Sequence, residues 1–345
     1  MLFMANSKIR VLLIDDSGFM RIMLSDLLRK DEQIEVVGTA VNGYDGVEKA
    51  RTFRPHVVIT DMIMPKFDGL YVVRQLMKCM PVPVILLSSL DRTDPRIFDA
   101  LSEGAFDFID KPQEQEIVKG YAALTAMVRE ASKADYLSLQ RPQKKRNTFT
   151  HEFDESLKYG IVAIGASTGG PGAVELIINN LPSNLAVPVV IAQHMPARFI
   201  ESFATRLKDT TDLHIRVPVD RERLQSHCIY LAPGVANMRI VQTDGVLSVK
   251  LVNDQYPEFN HPSIDCLFDS VAEVFGQRAI GVVLTGMGKD GAKGLSKIKE
   301  AGGLTIAQDS GSSVVYGMPR VAYETGAAVY QLPLFEIPNF IVSAL

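Results

Sequence analysis

The sequence predicts an α/β protein of two successive bodies, each a doubly wound and mostly parallel sheet covered by helices. Three observations lead there. Short β-branched runs alternate with helix-period patterns from residue 8 onward. Some of these runs, such as Ile161-Val-Ala-Ile164, are apolar without alternation, as strands buried on both faces of a parallel sheet must be. Polar or glycine-rich turns then follow the runs, on the edge where open α/β sheets bind ligands.

Composition sets the bounds. A chain of 345 residues holds about two domains at roughly 150 residues each. With 47% hydrophobic and 22% charged residues it has the balance of a soluble globular protein. The opening Met1–Lys8 has no basic region followed by an apolar core, and no apolar run approaches membrane-spanning length, so the expectation is a cytoplasmic protein without membrane insertion. Cys79, Cys228 and Cys266 are odd in number and widely spaced, which argues for reduced core thiols rather than disulfides or zinc. A net charge of −4 gives no electrostatic reason to expect nucleic acid as a partner.

In the first body, strands are predicted at Ile9–Ile14, Ile34–Ala40, Val57–Thr60, Val84–Leu87 and Phe106–Ile109, each a short run rich in strand-forming residues. Helices at Phe19–Lys30, Tyr44–Phe53, Gly69–Met80, Pro95–Glu103 and Gln115–Arg129 fill the intervals. Asp15 and Asp16 follow the first strand, Asp61 the third, Ser88 the fourth and Lys111 the fifth, so one pocket can collect them. A single Asp at a strand end is commonly a helix cap or a turn former. Several packed together repel unless a hard cation joins them, and Mg²⁺ prefers such oxygen ligands.

This constellation, with Asp61-Met-Ile-Met-Pro-Lys-Phe-Asp-Gly69 and Lys111-Pro112, resembles the receiver domain of bacterial two-component response regulators over residues 8–125. The resemblance implies that Asp61 accepts a phosphoryl group and that Asp15, Asp16 and Asp61 hold Mg²⁺ with help from the Ile63 carbonyl. It implies further that Ser88 and Lys111 contact the phosphoryl group, that Phe108 is a switching aromatic, and that a histidine kinase is the phosphodonor. Residues 126–158 read as a linker, because Ser132–Thr148 is polar, contains Pro142 and keeps no period. Its basic run Lys144-Lys-Arg146 reads as solvated chain.

The second body, residues 159–345, opens on Tyr159-Gly-Ile-Val-Ala-Ile-Gly-Ala-Ser-Thr-Gly-Gly-Pro-Gly172. A buried strand here empties into a glycine-rich turn carrying Ser167, and Pro171 with the helical pattern of Ala173–Asn180 places that serine at a strand-to-helix junction. Gly165-Ala-Ser-Thr-Gly169 matches G-x-S-x-G, whose glycines relieve crowding around an exposed serine and whose amides can face an oxyanion. Taken alone, the turn could equally cradle a phosphate.

Val187–Ala192 is the next predicted strand, stopped by Gln193-His-Met-Pro196 ahead of a helix at Ala197–Leu207. His194 thus lies on the edge that carries Ser167 and is the best placed of the six histidines to remove its proton. The imidazole in turn needs a carboxylate. Strand Ala279–Leu284 supplies a candidate, Asp290, in a turn containing Gly286, Gly288 and Gly291 before a helix at Ala292–Glu300. The Met287 amide is the candidate oxyanion donor. The chain order Ser, His, Asp differs from the Ser, Asp, His of α/β-hydrolases and disfavours that fold.

Gly165-Ala-Ser-Thr-Gly-Gly170, Gln193-His-Met-Pro196, Leu284-Thr-Gly-Met-Gly-Lys-Asp-Gly-Ala292 and Val314-Val-Tyr-Gly-Met-Pro-Arg320 together resemble the catalytic domain of the bacterial chemotaxis protein-glutamate methylesterases, over residues 159–345. The resemblance implies Ser167 as nucleophile, His194 as general base and acid, and Asp290 as orienting carboxylate. It implies as substrate the γ-glutamyl methyl esters of chemoreceptors, hydrolysed to glutamate and methanol, with deamidation of receptor glutamines as a companion reaction, all under the control of the receiver. Two departures from that pattern, Asn260-His261 and Asn237, bear on substrate fit. The rival reading is a non-enzymatic response regulator with a binding module for output, but no basic helix-turn-helix pattern follows the linker. A dinucleotide-binding turn is the other rival, and its G-x-G-x-x-G spacing is absent.

Overall fold

The structure, a computed structural model, describes residues 8–88, 96–111, 117–134, 158–256 and 261–345. Pro95, Pro112, Gln115, His151, Asn260 and the linker run Lys144-Lys-Arg146 lie outside the described residues. The chain divides into two compact units, Met1–Gln140 and Arg141–Leu345. Among the described residues, no helix is long and apolar enough to cross a membrane.

The first unit alternates β1 (Ile9–Ile14), α1 (Gly18–Leu28), β2 (Ile34–Ala40), α2 (Gly43–Phe53), β3 (Val57–Asp61), α3 (Gly69–Cys79), β4 (Val84–Ser88), α4 (Arg96–Ser102), β5 (Asp107–Asp110) and α5 (Ile117–Ala131). The strands form one parallel sheet in the order β2-β1-β3-β4-β5. The winding reverses between β1 and β3, so the ligand crevice of such a sheet falls beside Asp15 and Asp61. Ser17, Asn42 and Asp68 cap α1, α2 and α3 by accepting the amides of Met20, Asp45 and Tyr71.

β1 and β2 keep their predicted bounds and the other predicted elements shift by at most three residues. Cys228 and Cys266 are buried as expected, but Cys79, expected in the core, is exposed because it ends α3 on its solvent side. The more informative difference is at α5, which runs across the expected boundary at residue 125 to Ala131. Leu124, Val128 and Ala131 are buried at three- and four-residue spacing, so the helix keeps an apolar face that the polar composition of the segment masks.

The second unit contains β6 (Ile161–Ala166), α6 (Gly170–Asn179), β7 (Val189–Gln193), α7 (Ala197–Thr210), β8 (His214–Arg216), β9 (Cys228–Leu231), β10 (Asn237–Thr243) and β11 (Val246–Val252). After these come α8 (Ile264–Phe275), β12 (Ala279–Val283), α9 (Ala292–Glu300), β13 (Leu304–Gln308), α10 (Met318–Glu324), β14 (Tyr330–Leu332) and α11 (Ile337–Ala344). Seven strands make a wholly parallel sheet, β14-β13-β12-β6-β7-β9-β8, while β10 and β11 form a separate antiparallel hairpin. Every residue of β6, β7 and β12 is buried, as their unbroken apolar runs require. β6 lies between β12 and β7, at the reversal of winding.

Helix α8 packs on the central strand with its N-terminus at the carboxyl edge of the sheet. Gly165 permits this approach, since a Cβ there would lie 2.2 Å from Ile264 Cγ2. The rest of α8 buries Leu267, Phe268 and Val271 against the hairpin and the sheet, and Ser270 Oγ accepts the Ile240 amide of β10 at 2.9 Å. Gly165→Ala is expected to overpack this junction and to destabilise the second unit by about 1–3 kcal/mol. The denaturant midpoint of its unfolding transition, followed separately from that of the first unit, measures the effect.

Candidate active site and phosphoacceptor site

Register brings the three predicted catalytic residues to one edge. Gly165 pairs with Val283 of β12, and Ala166 pairs with Gln193 of β7, so the segments carrying Ser167, His194 and Asp290 leave three adjacent strands together. The His194 amide donates to the Ala166 carbonyl at 2.9 Å and the Ser167 amide to the Thr285 carbonyl at 3.0 Å, which ties the turns to one another.

His194 Nε2 lies 2.8 Å from Asp290 Oδ2. An ionised carboxylate only accepts, so the proton is assigned to Nε2. The side chains are 8% and 2% exposed, and a pair so shielded from water interacts strongly. Asp290 is held from its other side by the start of α8. Its Oδ2 also accepts the Ile264 amide at 2.7 Å, and its Oδ1 accepts the amides of Asp265 and Gly291, each at 3.0 Å, and the Ser263 hydroxyl at 3.3 Å. Burial pushes this carboxyl upward, but the His194 bond and the amides of Ile264 and Asp265 outweigh it and hold it below the usual carboxylate range. A helix N-terminus is a natural seat for that charge.

The Ser167 turn is braced by side chains from two neighbouring strand ends. Gln193 Nε2 donates to the carbonyls of Ser167 at 2.9 Å and His194 at 3.0 Å, joining the two turns through one amide. Thr285 Oγ1 donates to the Thr168 carbonyl at 2.9 Å and accepts the Val315 amide at 2.9 Å. Gly286 abuts the serine itself, where a Cβ would lie 2.6 Å from Ser167 Cβ and 2.5 Å from Met318 Sδ. The next residue, Met287, has a side chain 38% exposed. Its amide has no acceptor among the described residues, as an oxyanion donor beside the nucleophile requires.

In the first unit, one oxygen each of Asp15, Asp16 and Asp61 lie within 4.8 Å of one another, with Asp15 and Asp61 buried and Asp16 exposed. Lys111 Nζ bonds Asp61 Oδ2 at 2.7 Å and Asp15 Oδ2 at 2.9 Å. Burial works against the lysine charge, yet the two carboxylates hold its pKa above the ordinary value. Asp61 goes up as well, mainly through burial and also through repulsion by Asp15, although Lys111 pulls the other way. Lys111 thus pairs with two of the three carboxylates and Asp16 has no ion-pair partner among the described residues, and an all-oxygen cluster of this kind fits a hard divalent ion. Ser88 is buried at the end of β4, its carbonyl accepting the Lys111 amide at 2.8 Å, and Phe108 is buried in β5. The Ile63 amide lies 3.3 Å from Asp61 Oδ1.

Two further residues support the site in ways the sequence does not show. Ser263 is the N-cap of α8 and accepts the Cys266 amide; a serine ahead of an apolar helical run is a readable start signal, but nothing local says that its hydroxyl reaches Asp290. Asn237 is wholly buried, with Oδ1 accepting the Ser263 amide at 2.6 Å and Nδ2 donating to the Asp254 carbonyl at 2.7 Å, so this departure from the family pattern sits behind the cap of α8.

A serine, a histidine and an aspartate gathered at the rim of a parallel sheet, on a chain whose other unit carries a clustered-carboxylate site, define the class: a response regulator with a hydrolase-type output domain. The chain belongs to the CheB methylesterase family. The family model for CheB methylesterase matches residues 162–341, and that for the response regulator receiver domain matches residues 11–122. The chain is 38% identical over 343 residues to a protein-glutamate methylesterase/protein-glutamine glutaminase of Archaeoglobus fulgidus, covering 97% of this chain and 98% of the relative. It is 38% identical over 346 residues to the protein of that name from Thermotoga maritima, covering 98% and 99%. The crystal structure of the Thermotoga maritima CheB methylesterase catalytic domain superposes with a TM-score of 0.53 at 39% identity, covering 55% of this chain and all of that one.

Gly286→Ala tests the close approach at Ser167, the candidate nucleophile. A methyl group there forces the Ser167 turn away, and a displacement of about 1 Å lowers turnover roughly 100-fold. Labelling of Ser167 by a serine-directed fluorophosphonate should slow in parallel, while circular dichroism of the variant stays native.

Proposed function

We propose that this protein hydrolyses γ-glutamyl methyl esters on chemoreceptors, releasing methanol, and deamidates receptor glutamines, with Ser167 as nucleophile and the receiver unit as its control. The observation that carries the reading is the buried Asp290–His194 bond on the strand edge that also presents Ser167. A purely binding output module assigns no role to that bond.

With Nε2 bound to Asp290, Nδ1 of His194 takes the Ser167 hydroxyl proton as Oγ attacks the ester carbonyl carbon. The carbonyl π-pair moves onto oxygen, where the Met287 amide meets the oxyanion, a type of contact whose removal costs roughly 10²–10³ in rate. Asp290 supports the imidazolium that forms and fixes its orientation. Collapse of the tetrahedral intermediate breaks the bond to the alkoxy oxygen, and His194 returns its proton so that methanol leaves. Water, deprotonated by the same imidazole, then releases glutamate and restores Ser167. With a glutamine side chain the leaving group is ammonia, and no other step changes.

In the receiver unit, Asp61 takes the phosphoryl group from a histidine kinase, with Ser88 and Lys111 contacting its oxygens. Asp15, Asp16, Asp61 and the Ile63 carbonyl would hold Mg²⁺, which when bound offsets the charge of the carboxylates and of the incoming phosphoryl group. The new negative charge and acceptor oxygens draw Ser88 and Lys111 into a different arrangement, with Phe108 of β5 changing packing in consequence. Receptor segments and kinase are both cytoplasmic partners, and the protein works in that compartment. The proposed extents are a receiver over residues 8–125, prolonged by α5, and a methylesterase domain over 159–345.

Two measurements test this. Ser167→Ala should reduce methanol release from methylated receptor by about 10⁶-fold, and release that persists in the variant would end the serine mechanism. A small-molecule phosphodonor with Mg²⁺ should raise turnover of the full chain by roughly 5–150-fold. Asp61→Asn or a chelator should abolish that gain and leave basal hydrolysis in place.

A further inference from the structure

Asp265 is a buried carboxylate, 5% exposed, that the mechanism above does not use. It lies in the first turn of α8, and its own amide is one of those that hold Asp290. Its side chain reaches the opposite way, where Oδ1 accepts the Gly294 amide in the first turn of α9 at 2.7 Å. Helix α9 has no cap of its own, because its N-cap is Gly291. Asp290, just ahead of α9, therefore satisfies the start of α8, while Asp265, inside α8, satisfies the start of α9. The two helices are capped crosswise by two carboxylates, and one of them is the proposed triad acid.

We propose that Asp265 is a positioning residue for ester hydrolysis, which in its ionised form fastens α9 to α8 so that Asp290 stays on the His194 ring and makes an imidazolium there more favourable. This rests on the triad reading given above. The fastening is a charge-assisted bond to Gly294, stronger than a neutral one. The second effect is electrostatic. A like charge beside Asp290 raises the cost of leaving Asp290 without a cation, and the imidazolium formed during attack relieves it.

The surroundings of Asp265 set where it titrates. Burial first, with the charges of Asp290 and Asp269 added to it, outweighs the amides of Gly294 and Gly291 and raises its pKa to about 6. Asp269 is itself bridged to Lys297 of α9 at 2.7 Å. From the hairpin, Arg239 pairs with Glu273, at the far end of α8. Strands β6, β7 and β12 carry no ionisable side chain against the helix. Because the folded value lies above the unfolded one, ionising Asp265 removes stability as pH rises from the ordinary carboxylate range to about 6. At the pH of catalysis this charge works against the fold, which a purely structural residue would not do.

That opposition separates a positioning role from a structural one. In full-length Asp265→Asn, kcat at about pH 8 should fall roughly tenfold with KM unchanged, while the melting temperature of the second unit holds or rises. At about pH 4 the two proteins should melt alike. The acid limb of log kcat should steepen toward a slope of two in the native protein, one proton for the base and one for Asp265, and should have a slope of one in the variant. Unchanged kcat and slope, with Ser167 still labelled by fluorophosphonate, would overturn the role of Asp265 alone. A fall in kcat matched by a fall in melting temperature would also overturn it, because it marks a structural residue. Failure of the label to modify native Ser167 would instead remove the triad reading beneath it.

Discussion

The Asp290 carboxylate is where the fold and the chemistry of the second unit meet. Four groups from the chain around α8 and α9 hold it, the amides of Ile264, Asp265 and Gly291 and the Ser263 hydroxyl, and the remaining direction is taken by His194. A carboxylate with so many donors can stay charged while buried, which it could not do alone. That fixed charge keeps the proton of His194 on Nε2 and leaves Nδ1 as the unprotonated nitrogen. The requirement spreads outward. The start of α8 must reach the sheet edge, so Gly165 cannot carry a side chain, and Ser263 must be held in register, which Asn237 does through its amide.

The same constraint explains why Ser167, His194 and Asp290 follow β6, β7 and β12 rather than sharing one loop. Adjacent parallel strands end at nearly the same height, about 4.8 Å apart, so single residues beyond their ends fall within reach of each other without long excursions. The turns are then stiffened by side chain to backbone bonds from Gln193 and Thr285, both buried. Residues in such turns lose little further freedom when substrate arrives, which is the condition for orientation to lower the barrier.

How much of this was legible follows from the kind of signal each part emits. The strands buried on both faces announce themselves, because a parallel sheet between two helical layers demands unbroken apolar runs, and the residues just past their ends include His194 and Asp290, which meet although 96 positions apart. The β10–β11 hairpin was not drawn because it packs one face on α8 and mixes half-buried with exposed positions, so neither its period nor its composition stands out. Helix α5 is predicted to run to Arg129, but the expected domain boundary falls at residue 125, within it, because its exposed face is polar there, although Leu124, Val128 and Ala131 carry one buried stripe through that point. The contacts that seat Asp290 span 25 to 27 positions and are made largely by backbone amides, which carry no residue-type signature. Asn237 shows the same limit, since a substitution at that point reads as a change in substrate fit until its two hydrogen bonds place it behind the cap of α8.

The two sites treat buried negative charge in opposite ways, and the difference matches what each has to do. At Asp290 the donors outnumber the demand, and the carboxyl is held low. At Asp61 a single lysine is shared with Asp15, burial dominates, and the carboxyl is pushed up. A group already under electrostatic strain responds strongly when a cation or a phosphoryl group changes the local charge, and a bistable arrangement can be tipped by a change of only a few kcal/mol. A group that is fully satisfied responds weakly and keeps its geometry. Strain at Asp61 and saturation at Asp290 thus place the capacity for change in the first unit and leave the carboxylate edge of the second fixed.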